Sequence, residues 1–388
     1  MTGTFAPLVD PAPELTRAEL ERYSRNLALP QLGPEGQRRL KNARVLVVGA
    51  GGLGSPALQY LAAAGVGVLG VVDDDVVSIS NLHRQVIHGT EDVGRPKVDS
   101  AAAAIARVNP LVTVRTHRTR LDAGNALEIV RQYDLVLDGA DNFATRYLVS
   151  DACVLAGVPC VWGSVLRLEG RVSVFWPGHG PSYRDLHPDP PDPGEVPSCA
   201  EGGVLGMLPA TIGAVMVTEA TKVITGIGEP LVGRVLLHDA RTMRWREVGL
   251  VPDPDAPPVR EVTAPETRVP EGGGTADHES ISALELADLL HRREGGPAAV
   301  RVVDVREDWE RQLVAIPGSV AVPLEDLLAR GVQALPPGVR EGDVVLHCET
   351  GARSARAVAA LRAGYADREE RVRHLEGGVR AWVRDVGS

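Results

Sequence analysis

Cys348 has the surroundings that point most directly to chemistry in this chain of 388 residues. It follows the strand-like run DVVLHC and precedes Glu-Thr-Gly-Ala-Arg353-Ser354, which leads into the helical pattern SARAVAALRAGY. A cysteine between a strand and a helix N-terminus lies where backbone N–H groups and the helix dipole stabilise an anion. The loop therefore predicts a reactive thiol that carries an anionic group, with Arg353 as a second candidate catalytic residue.

A second candidate site is a glycine-rich turn between a strand-like run and a helical run. The turn reads Gly49-Ala-Gly51-Gly52-Leu-Gly54, and Asp73 ends the next strand-like run. Such glycines let backbone N–H groups approach a phosphate, and an acid at the end of the following strand accepts from ribose hydroxyls. These residues alone fit a nicotinamide-dependent oxidoreductase as well as an ATP-using enzyme.

The residues after Asp73 favour ATP. Arg84, in the loop Ser80-Asn81-Leu82-His83-Arg84, and Lys97 place two cations near the turn. Transfer at an α-phosphate needs them because charge builds on the phosphate oxygens as pyrophosphate leaves. Asp141-Asn142 follows the run DLVLDGAD and predicts a Mg²⁺ position at the carboxyl edge of the sheet. The alternatives are a solvated loop for Arg84 and a helix cap for Asp141.

Alternating strand-like and helical runs must position these residues. RVLVVG and VGVLGVVD predict buried parallel strands, and Lys97–Val108 and Asn125–Gln132 predict helices. After VPCVWGS, the runs RVSVFW and RVLLHDARTMRWREV predict antiparallel strands around a long helix near Gly206–Thr225. We predict an α/β fold with a doubly wound, Rossmann-like, mostly parallel sheet that has an antiparallel extension, followed by a smaller α/β domain.

Two proline-rich stretches divide the chain. Gly178–Cys199 is predicted to be an internal loop without helix or central strand, and a functional one. The stretch after Pro252 is predicted to be an interdomain linker, and Ser282 with Glu285 forms a capping box that begins a new domain. The predicted boundaries are residues 15–250, 251–278 and 279–388.

Composition excludes several classes of protein. The net charge is −10, from 41 basic and 51 acidic residues, which argues against direct nucleic-acid or membrane-surface binding. Four cysteines cannot form a disulfide framework, so we expect a reducing, cytoplasmic location. The N-terminus lacks signal-peptide features, and glycines interrupt the one long uncharged stretch, so no membrane span is predicted.

The motifs GAGGLGS, DDDVVSISNLHRQ, GRPKV and DGADN together resemble the E1-like adenylyltransferases of the ThiF/MoeB/HesA family. The resemblance spans about Leu15 to Leu250 and implies adenylation of the C-terminal glycine of a ubiquitin-like sulfur carrier protein that ends in Gly-Gly. RYSRNLALPQLG resembles the family's first helix, whose arginine, here Arg25, reaches the partner subunit's ATP site, which implies a homodimer. Asp141 would hold Mg²⁺. The implied ATP contacts are Gly49, Gly51, Gly52, Gly54, Asp73, Ser80, Asn81, Leu82, His83, Arg84, Lys97, Asp141, Asn142 and Arg25.

The other cysteines receive separate predictions. Cys199 matches the family's crossover-loop cysteine, which can bind the activated carrier covalently, although a buried structural cysteine is the alternative. Cys153 and Cys160 lie in apolar runs and are predicted to be core residues. The family also has two Cys-x-x-Cys pairs that bind structural zinc. Ser182 and Asp185 replace the first pair and the second is missing, so no structural zinc is expected.

The motifs DVREDWE, IPGSVAVPL and HLEGGVRAW resemble rhodanese domains over nearly all of Glu279–Val386. The six-residue loop Cys348–Arg353 favours sulfur in that family over the phosphate of related phosphatases. The resemblances imply that Cys348, loaded by an upstream persulfide donor such as a cysteine desulfurase, converts the adenylated carrier to a thiocarboxylate. The pathway would be molybdopterin, thiamine, cysteine or thiolated-tRNA synthesis. The alternatives are a nicotinamide-dependent oxidoreductase with a sulfur-binding accessory domain, and an interaction scaffold.

Overall fold

The computed structural model describes residues 5–190, 203–263, 280–291, 300–340, 343–362 and 372–387. The chain divides into two compact units, Met1–Thr267 and Arg268–Ser388. Within the described ranges, no helix combines the length and the apolar character that a bilayer crossing requires. Cys199 lies outside the described residues, so its predicted role stays a prediction.

An eight-stranded sheet forms the first unit, with the order β3-β2-β1-β4-β5-β6-β7-β8. Neighbouring strands are parallel from β3 to β5 and antiparallel from β5 to β8. The predicted Rossmann-like sheet with an antiparallel extension is therefore confirmed. The strands are β1 Arg44–Val48, β2 Val68–Val72, β3 Thr113–His117, β4 Leu135–Asp138, β5 Cys160–Leu166, β6 Glu169–Phe175, β7 Arg234–Asp239 and β8 Arg244–Gly249.

Both faces of this sheet are covered at its centre, which explains the continuous apolar run of β1. Val45 and Val47 belong to one core cluster with Leu58, whereas Leu46 and Val48 belong to the cluster on the opposite face. Successive strand residues point to opposite faces, so a strand buried on both sides must be apolar throughout. The helices are α1 Arg17–Arg22, α2 Ser24–Leu27, α3 Gly33–Asn42, α4 Gly54–Ala64, α5 Lys97–Val108, α6 Ala126–Val130, α7 Phe143–Ala156, α8 Tyr183–Leu186 and α9 Leu208–Thr225.

The short helix α8 differs from the prediction of a helix-free loop over Gly178–Cys199. Its Ser182 forms a capping box with Asp185, whose carboxylate accepts from the Ser182 N–H at 2.6 Å. No proline lies between Pro181 and Pro188, so the chain has room for one helical turn there. The prediction rested on the number of prolines in the whole stretch and overlooked this proline-free interval.

The second unit contains a five-stranded sheet of the order β11-β10-β12-β13-β9, and its neighbouring strands are parallel. Its first helix begins at the predicted capping box, because the Glu285 N–H donates to Ser282 Oγ at 3.2 Å. The strands are β9 Ser280–Ile281, β10 Arg301–Asp304, β11 Val320–Ala321, β12 Val344–His347 and β13 Val372–Leu375. The helices are α10 Ala283–His291, α11 Asp308–Leu313, α12 Leu324–Arg330, α13 Pro337–Arg340, α14 Ala352–Arg362 and α15 Gly378–Asp385.

Candidate functional site

A cleft of about 290 Å³ lies at the carboxyl ends of the parallel strands in the first unit. β1 and β4 are adjacent there, and the strand order runs outward from them in both directions. Ligands of doubly wound sheets bind at this position because the loops that follow the two strands separate and leave a crevice. The predicted site residues that line the cleft are Gly49, Gly51, Gly52, Asp73, Arg84, Lys97, Asp141 and Asn142.

The glycine-rich turn is held in a shape that a side chain would disturb. Gly49 has a φ of +88°, which favours glycine, and its N–H donates to the Val72 carbonyl at 2.8 Å. A Cβ on Gly54 would lie 1.8 Å from the Gly49 carbonyl oxygen. Gly54 does not line the cleft, and its small size instead lets α4 begin directly against the turn.

The Asp73 carboxylate is hydrogen-bonded to the glycine-rich turn and to the loop that follows its own strand. Its two carboxylate oxygens accept from the N–H groups of Ala50, at 2.8 Å, and Asp75, at 2.9 Å. Burial raises the pKa of Asp73, although the nearby Lys97 ammonium opposes that shift. Lys97 itself donates to the Asp75 carboxylate at 2.8 Å. Asp75 also lines the cleft and was not predicted, although it stands in the Asp73-Asp74-Asp75 run.

The loop from Ser80 to Arg84 contributes one cleft-lining side chain, Arg84. This guanidinium donates to the Ser80 carbonyl at 3.1 Å and lies 2.8 Å from His83 Nε2. His83 packs beside Gly206, where a Cβ would meet the His83 carbonyl at 2.6 Å. Ser80, Asn81, Leu82 and His83 shape this loop without lining the cleft, and Arg25 is exposed on α2.

Asp141 and Asn142 have different local roles. Asn142 caps α7, since its Oδ1 accepts from the Thr145 N–H at 2.9 Å. Asp141 is exposed at the cleft, and its carboxylate lies 3.5 Å from Asn142 Nδ2. The helix-cap alternative considered for Asp141 therefore applies to Asn142.

Two further cations at the cleft were missed. Arg120 follows β3 at the same sheet edge, and Arg146 on α7 donates two hydrogen bonds to the Ala140 carbonyl at 3.1 and 3.2 Å. The position of Arg120 after a strand is a signal that was available in the sequence. No comparable sequence signal pointed to Arg146, because an arginine on a helix is usually solvated. Beneath this loop, burial raises the pKa of Asp138 to about 6, against the opposing charge of Arg146.

The cleft residues fit a nucleotide-bound Mg²⁺ better than a protein-held metal. Among the described residues, no group of three or more His, Cys, Asp and Glu side chains is placed to hold an ion. Mg²⁺ is commonly held by one or two carboxylates together with substrate phosphates, and the Asp141 carboxylate faces the cleft.

Ser182 and Asp185, predicted to stand in place of zinc-binding cysteines, are hydrogen-bonded to each other, and Arg184 and Thr263 are hydrogen-bonded to Asp151. We call Asp151, Ser182, Arg184, Asp185 and Thr263 the polar clasp. Arg184 donates to both carboxylate oxygens of Asp151, at 2.8 and 2.9 Å, and Thr263 donates to the same carboxylate at 2.8 Å. Asp185 accepts from Ser182 and from the N–H of Asp253, at 2.7 Å. The clasp ties residues 251–263, which the sequence analysis assigns to the linker, to the first unit.

Cys153 and Cys160 lie in the core, with 2% and 3% of their surfaces exposed. The neighbouring Cys153 thiol and burial raise the pKa of Cys160 well above its ordinary value. A protonated, buried thiol is a poor nucleophile, which agrees with a packing role for Cys160.

Cys348 lies at the carboxyl end of β12, in a cradle formed by two helix N-termini. Its Sγ accepts from the Gly351 N–H at 3.1 Å, and Ser354 Oγ lies 3.7 Å away. The Val379 N–H, at the start of α15, donates to the Cys348 carbonyl at 2.8 Å. Only 1% of Cys348 is exposed. The arrangement places one backbone N–H and one hydroxyl at the sulfur, beside the N-terminus of α14.

Ion pairs fix the loop around Cys348. Arg353 donates to both carboxylate oxygens of Glu310 on α11, at 2.8 and 2.5 Å, so it anchors the loop to that helix. Arg306 is buried and donates to Asp304 at 2.9 Å and to Glu349 at 3.2 Å. Glu310 and Glu349 were not predicted as partners, because each lies 43 positions from its arginine and leaves no local pattern, whereas Asp304 stands only two residues before Arg306.

Comparison with known proteins identifies the family to which the chain belongs. The ThiF family model matches residues 23–257, and the rhodanese-like domain model matches residues 285–385. A probable adenylyltransferase/sulfurtransferase MoeZ of Mycobacterium tuberculosis is 50% identical over 396 residues, which cover 100% of this chain and 98% of the relative. The chain belongs to the ThiF family. This ThiF-family chain is an adenylyltransferase and sulfurtransferase, and its second unit is a rhodanese-like domain.

Two other relatives of this ThiF-family chain match different lengths of it. A sulfur carrier protein adenylyltransferase of Thermus thermophilus is 55% identical over 62% of this chain and 91% of its own length. The bovine adenylyltransferase and sulfurtransferase MOCS3 is 40% identical over 97% of this chain and 88% of its own length. A crystal structure of E. coli MccB with AMPCPP and MccA superposes with a TM-score of 0.56 and 21% identity, over 62% of this chain and 74% of that one, and shares the fold.

Proposed function

We propose that the first unit adenylates the C-terminal glycine of a ubiquitin-like sulfur carrier protein and that the rhodanese-like unit then supplies sulfur. The observation that carries the proposal is the presence in one chain of both a phosphate-type cleft and a sulfur cradle. Arg84, Lys97 and Asp141 line the cleft, and Cys348 lies in the cradle. A carboxylate is a poor electrophile, so thiocarboxylate formation requires an activated acyl group first.

In the first step, the carrier's terminal carboxylate attacks the α-phosphate of ATP, which gives an acyl-adenylate and pyrophosphate. The N–H groups of the Gly49–Gly54 turn and the start of α4 bind phosphate oxygens, and Arg84 and Lys97 stabilise the charge that develops on them. Asp141 would hold Mg²⁺, and the bound ion would supply charge neutralisation for the leaving pyrophosphate. Asp75 orients Lys97 through their 2.8 Å ion pair.

In the second step, the terminal sulfur of a Cys348 persulfide attacks the acyl carbon and AMP leaves. The product is an acyl disulfide, in which the carrier is joined to Cys348 through two sulfur atoms. Attack of a thiolate on the Cys348 sulfur then releases the carrier thiocarboxylate, and a second thiol reduces the resulting disulfide. Cys199 is the residue proposed to hold or resolve this acyl–sulfur intermediate. A cysteine desulfurase is the donor class that regenerates the persulfide, and the product enters molybdopterin, thiamine, cysteine or thiolated-tRNA synthesis.

The active form is proposed to be a homodimer. Arg25 is exposed on α2 and is absent from the cleft of its own chain. An arginine in that position is available to the ATP site of a second subunit. We expect Arg25→Ala to raise the KM for ATP without altering the sulfurtransferase half-reaction.

Carrier-dependent ATP–pyrophosphate exchange tests the proposal. Candidate carriers are captured from the native cytosol by their Gly-Gly ends and added to the full chain with ATP. Exchange that depends on the carrier, together with thiocarboxylate formation when a persulfide donor is added, supports the function. Tight binding of NADH, measured by fluorescence, with no exchange would support the oxidoreductase alternative instead.

A further inference from the structure

The charged groups around Cys348 suggest which kind of sulfur donor the loop accepts. Sulfur reaches rhodanese-type cysteines from donors of different charge: thiosulfate is a dianion, whereas a thiol persulfide carries its sulfur as a neutral or singly charged group. A dianion needs unpaired cations at the site, and a persulfide does not. The partners of the nearby arginines therefore bear on donor choice.

Three arginines beside the loop, Arg353, Arg306 and Arg380, are each bonded to a carboxylate. Arg353 is paired with Glu310, and Arg306 is paired with Asp304 and Glu349. Arg380, on α15, donates to Glu349 at 2.9 Å. Their positive charge is therefore largely neutralised by the protein itself.

Glu349 directly follows the sulfur-bearing residue and is the most exposed of these acids. About 34% of its side chain is accessible, whereas Glu310 retains 10% and Asp304 none. Its carboxylate holds Arg306 and Arg380, so it both adds a negative charge at the loop and occupies two guanidinium groups. Each effect weakens binding of a dianion.

The donors that remain at the sulfur are backbone and hydroxyl groups. Gly351 N–H and Ser354 Oγ contact Cys348 Sγ, and α14 begins at Ala352 with its N-terminus beside the loop. Such a cradle stabilises about one negative charge, as a persulfide on Cys348 requires, but it does not offset two.

From these contacts we infer that Glu349 is a specificity-determining residue, which makes Cys348 accept sulfur from a thiol persulfide in preference to thiosulfate. This inference rests on the proposed function. In the accepted reaction, the Cys348 thiolate attacks the outer sulfur of R–S–SH, forms Cys348–S–S⁻ and releases R–SH. With thiosulfate the same attack would release sulfite.

Removal of the Glu349 charge tests the inference in the full chain. Glu349→Gln is expected to raise kcat/KM for thiosulfate by about tenfold, mainly through a lower KM, because the dianion no longer meets a carboxylate and Arg380 loses its charged partner, while Arg306 stays paired with Asp304. With cysteine persulfide as donor, kcat/KM is expected to change less than threefold. Loading of Cys348 is measured by mass spectrometry, and sulfite or cysteine release gives the rates.

Two matched variants separate charge from structure. Glu349→Asp keeps the carboxylate and should keep the wild-type preference, whereas Glu325→Gln removes an exposed acid on α12 and should change neither donor. In the wild type, raising ionic strength from about 0.05 to 0.5 M should narrow the preference, because salt screens exposed charges. In Glu349→Gln it should have little effect.

Different failures identify which claim is wrong. Equal use of both donors by the wild type, or an unchanged preference in Glu349→Gln, overturns the role of Glu349 while Cys348 still transfers sulfur. Absence of Cys348 loading by either donor overturns the proposed sulfur transfer itself, and with it this inference.

Discussion

At the scale of single residues, the two proposed reactions depend on side chains with contrasting environments. Asp141 is exposed at a cleft, where it is available to a metal and a nucleotide. Cys348 is almost fully buried under backbone donors, where only a small group reaches it. Replacement of Asp141 should therefore leave the fold unchanged. Replacement of Cys348 removes the one cysteine that the described part of this loop contains.

Asp141→Asn should lower carrier-dependent ATP–pyrophosphate exchange by about 100-fold or more. Loss of metal-aided charge stabilisation costs several kcal/mol of barrier, and each 1.36 kcal/mol corresponds to tenfold. Asp99→Asn, at an exposed carboxylate on α5 outside the cleft, serves as the control. Exchange at the wild-type rate in Asp141→Asn would refute the metal-binding role, provided that circular dichroism shows both variants folded.

Cys348→Ala should abolish persulfide loading and thiocarboxylate formation while leaving carrier adenylation unchanged. The reason is that the sulfur and the ATP cleft belong to separate compact units. Cys199→Ala should preserve both half-reactions and slow only their coupling. Mass spectrometry of the carrier distinguishes them: adenylate without sulfur for the first variant, and slow thiocarboxylate formation for the second. Full-rate thiocarboxylate formation by Cys348→Ala would remove the rhodanese-like unit from the mechanism.

At the scale of helices and strands, the polar clasp joins α7, α8 and the segment that ends at Thr263. Asp151 is fully buried on α7 and joins Arg184 of α8 to Thr263. Loss of Asp151 leaves a partly buried guanidinium without its carboxylate, which is more costly than loss of an exposed pair.

We predict that Asp151→Ala lowers the free energy of unfolding of the first unit by about 3 kcal/mol. Urea unfolding of the full chain, followed by hydrogen exchange in peptides from α7 and α8, measures the effect. Glu128→Ala, at an exposed acid on α6, is the control and should change stability by less than about 0.5 kcal/mol. A loss equal to that of the control would show that the clasp is not a stabilising element.

The same hydrogen bonds lead us to expect no stoichiometric zinc in the purified protein. Ser182 and Asp185 are engaged with each other, and Asp185 also accepts from Asp253. Elemental analysis of protein purified without chelators provides the measurement. About one tightly held zinc per chain would contradict this expectation.

Buried His347 should make the second unit less stable in acid. Burial lowers its pKa to about 4, although Asp304 opposes the shift. The unfolded chain, with a histidine pKa near 6.5, therefore binds more protons between pH 4 and 6.5, and stability falls as pH drops through that window. We expect a loss of about 2 kcal/mol between pH 7 and pH 5.

Hydrogen exchange in peptides that cover β10 and β12 reports the stability of the second unit in the full chain. In His347→Gln, which cannot titrate, the pH 7 to pH 5 loss should largely disappear. An undiminished pH dependence in that variant would assign the effect to other groups.

Local sequence patterns predicted the helices and strands well, but they did not predict the side-chain pairs that join residues distant in sequence. The bounds Lys97–Val108 of α5 follow from its apolar spacing, and the strand–turn–helix of Gly49–Gly54 follows from its glycines. Contacts such as Arg353 with Glu310 join residues 43 positions apart, and no sequence period encodes them. Resemblance to known motifs carried most of the assignment of site residues, because chemistry depends on such pairs.

At the scale of the whole molecule, the presence of both reactions on one chain predicts how the rate of thiocarboxylate formation depends on protein concentration. A tethered sulfur donor meets the acyl-adenylate at an effective concentration that does not depend on dilution. A mixture of Asp141→Asn and Cys348→Ala chains places the two competent units on different chains. We expect thiocarboxylate formation by the mixture to fall steeply on dilution, whereas the wild-type rate per chain stays constant.

Subunit exchange provides the control for that mixture. If mixed dimers form, pre-incubation at high protein concentration should preserve part of the activity after dilution, and mixing after dilution should not. Equal activity of the mixture and the wild type at all concentrations would show that the tether contributes nothing.

The groups of the polar clasp also differ from zinc-bound thiolates in how they react with sulfur donors. Zinc-bound thiolates are nucleophiles, so persulfides and oxidants attack them and release the metal. Carboxylate, hydroxyl and guanidinium groups hold the corresponding segment here, and none of them reacts with a persulfide. Under the proposed function, this segment is thereby secured by groups that are inert toward the persulfide on Cys348.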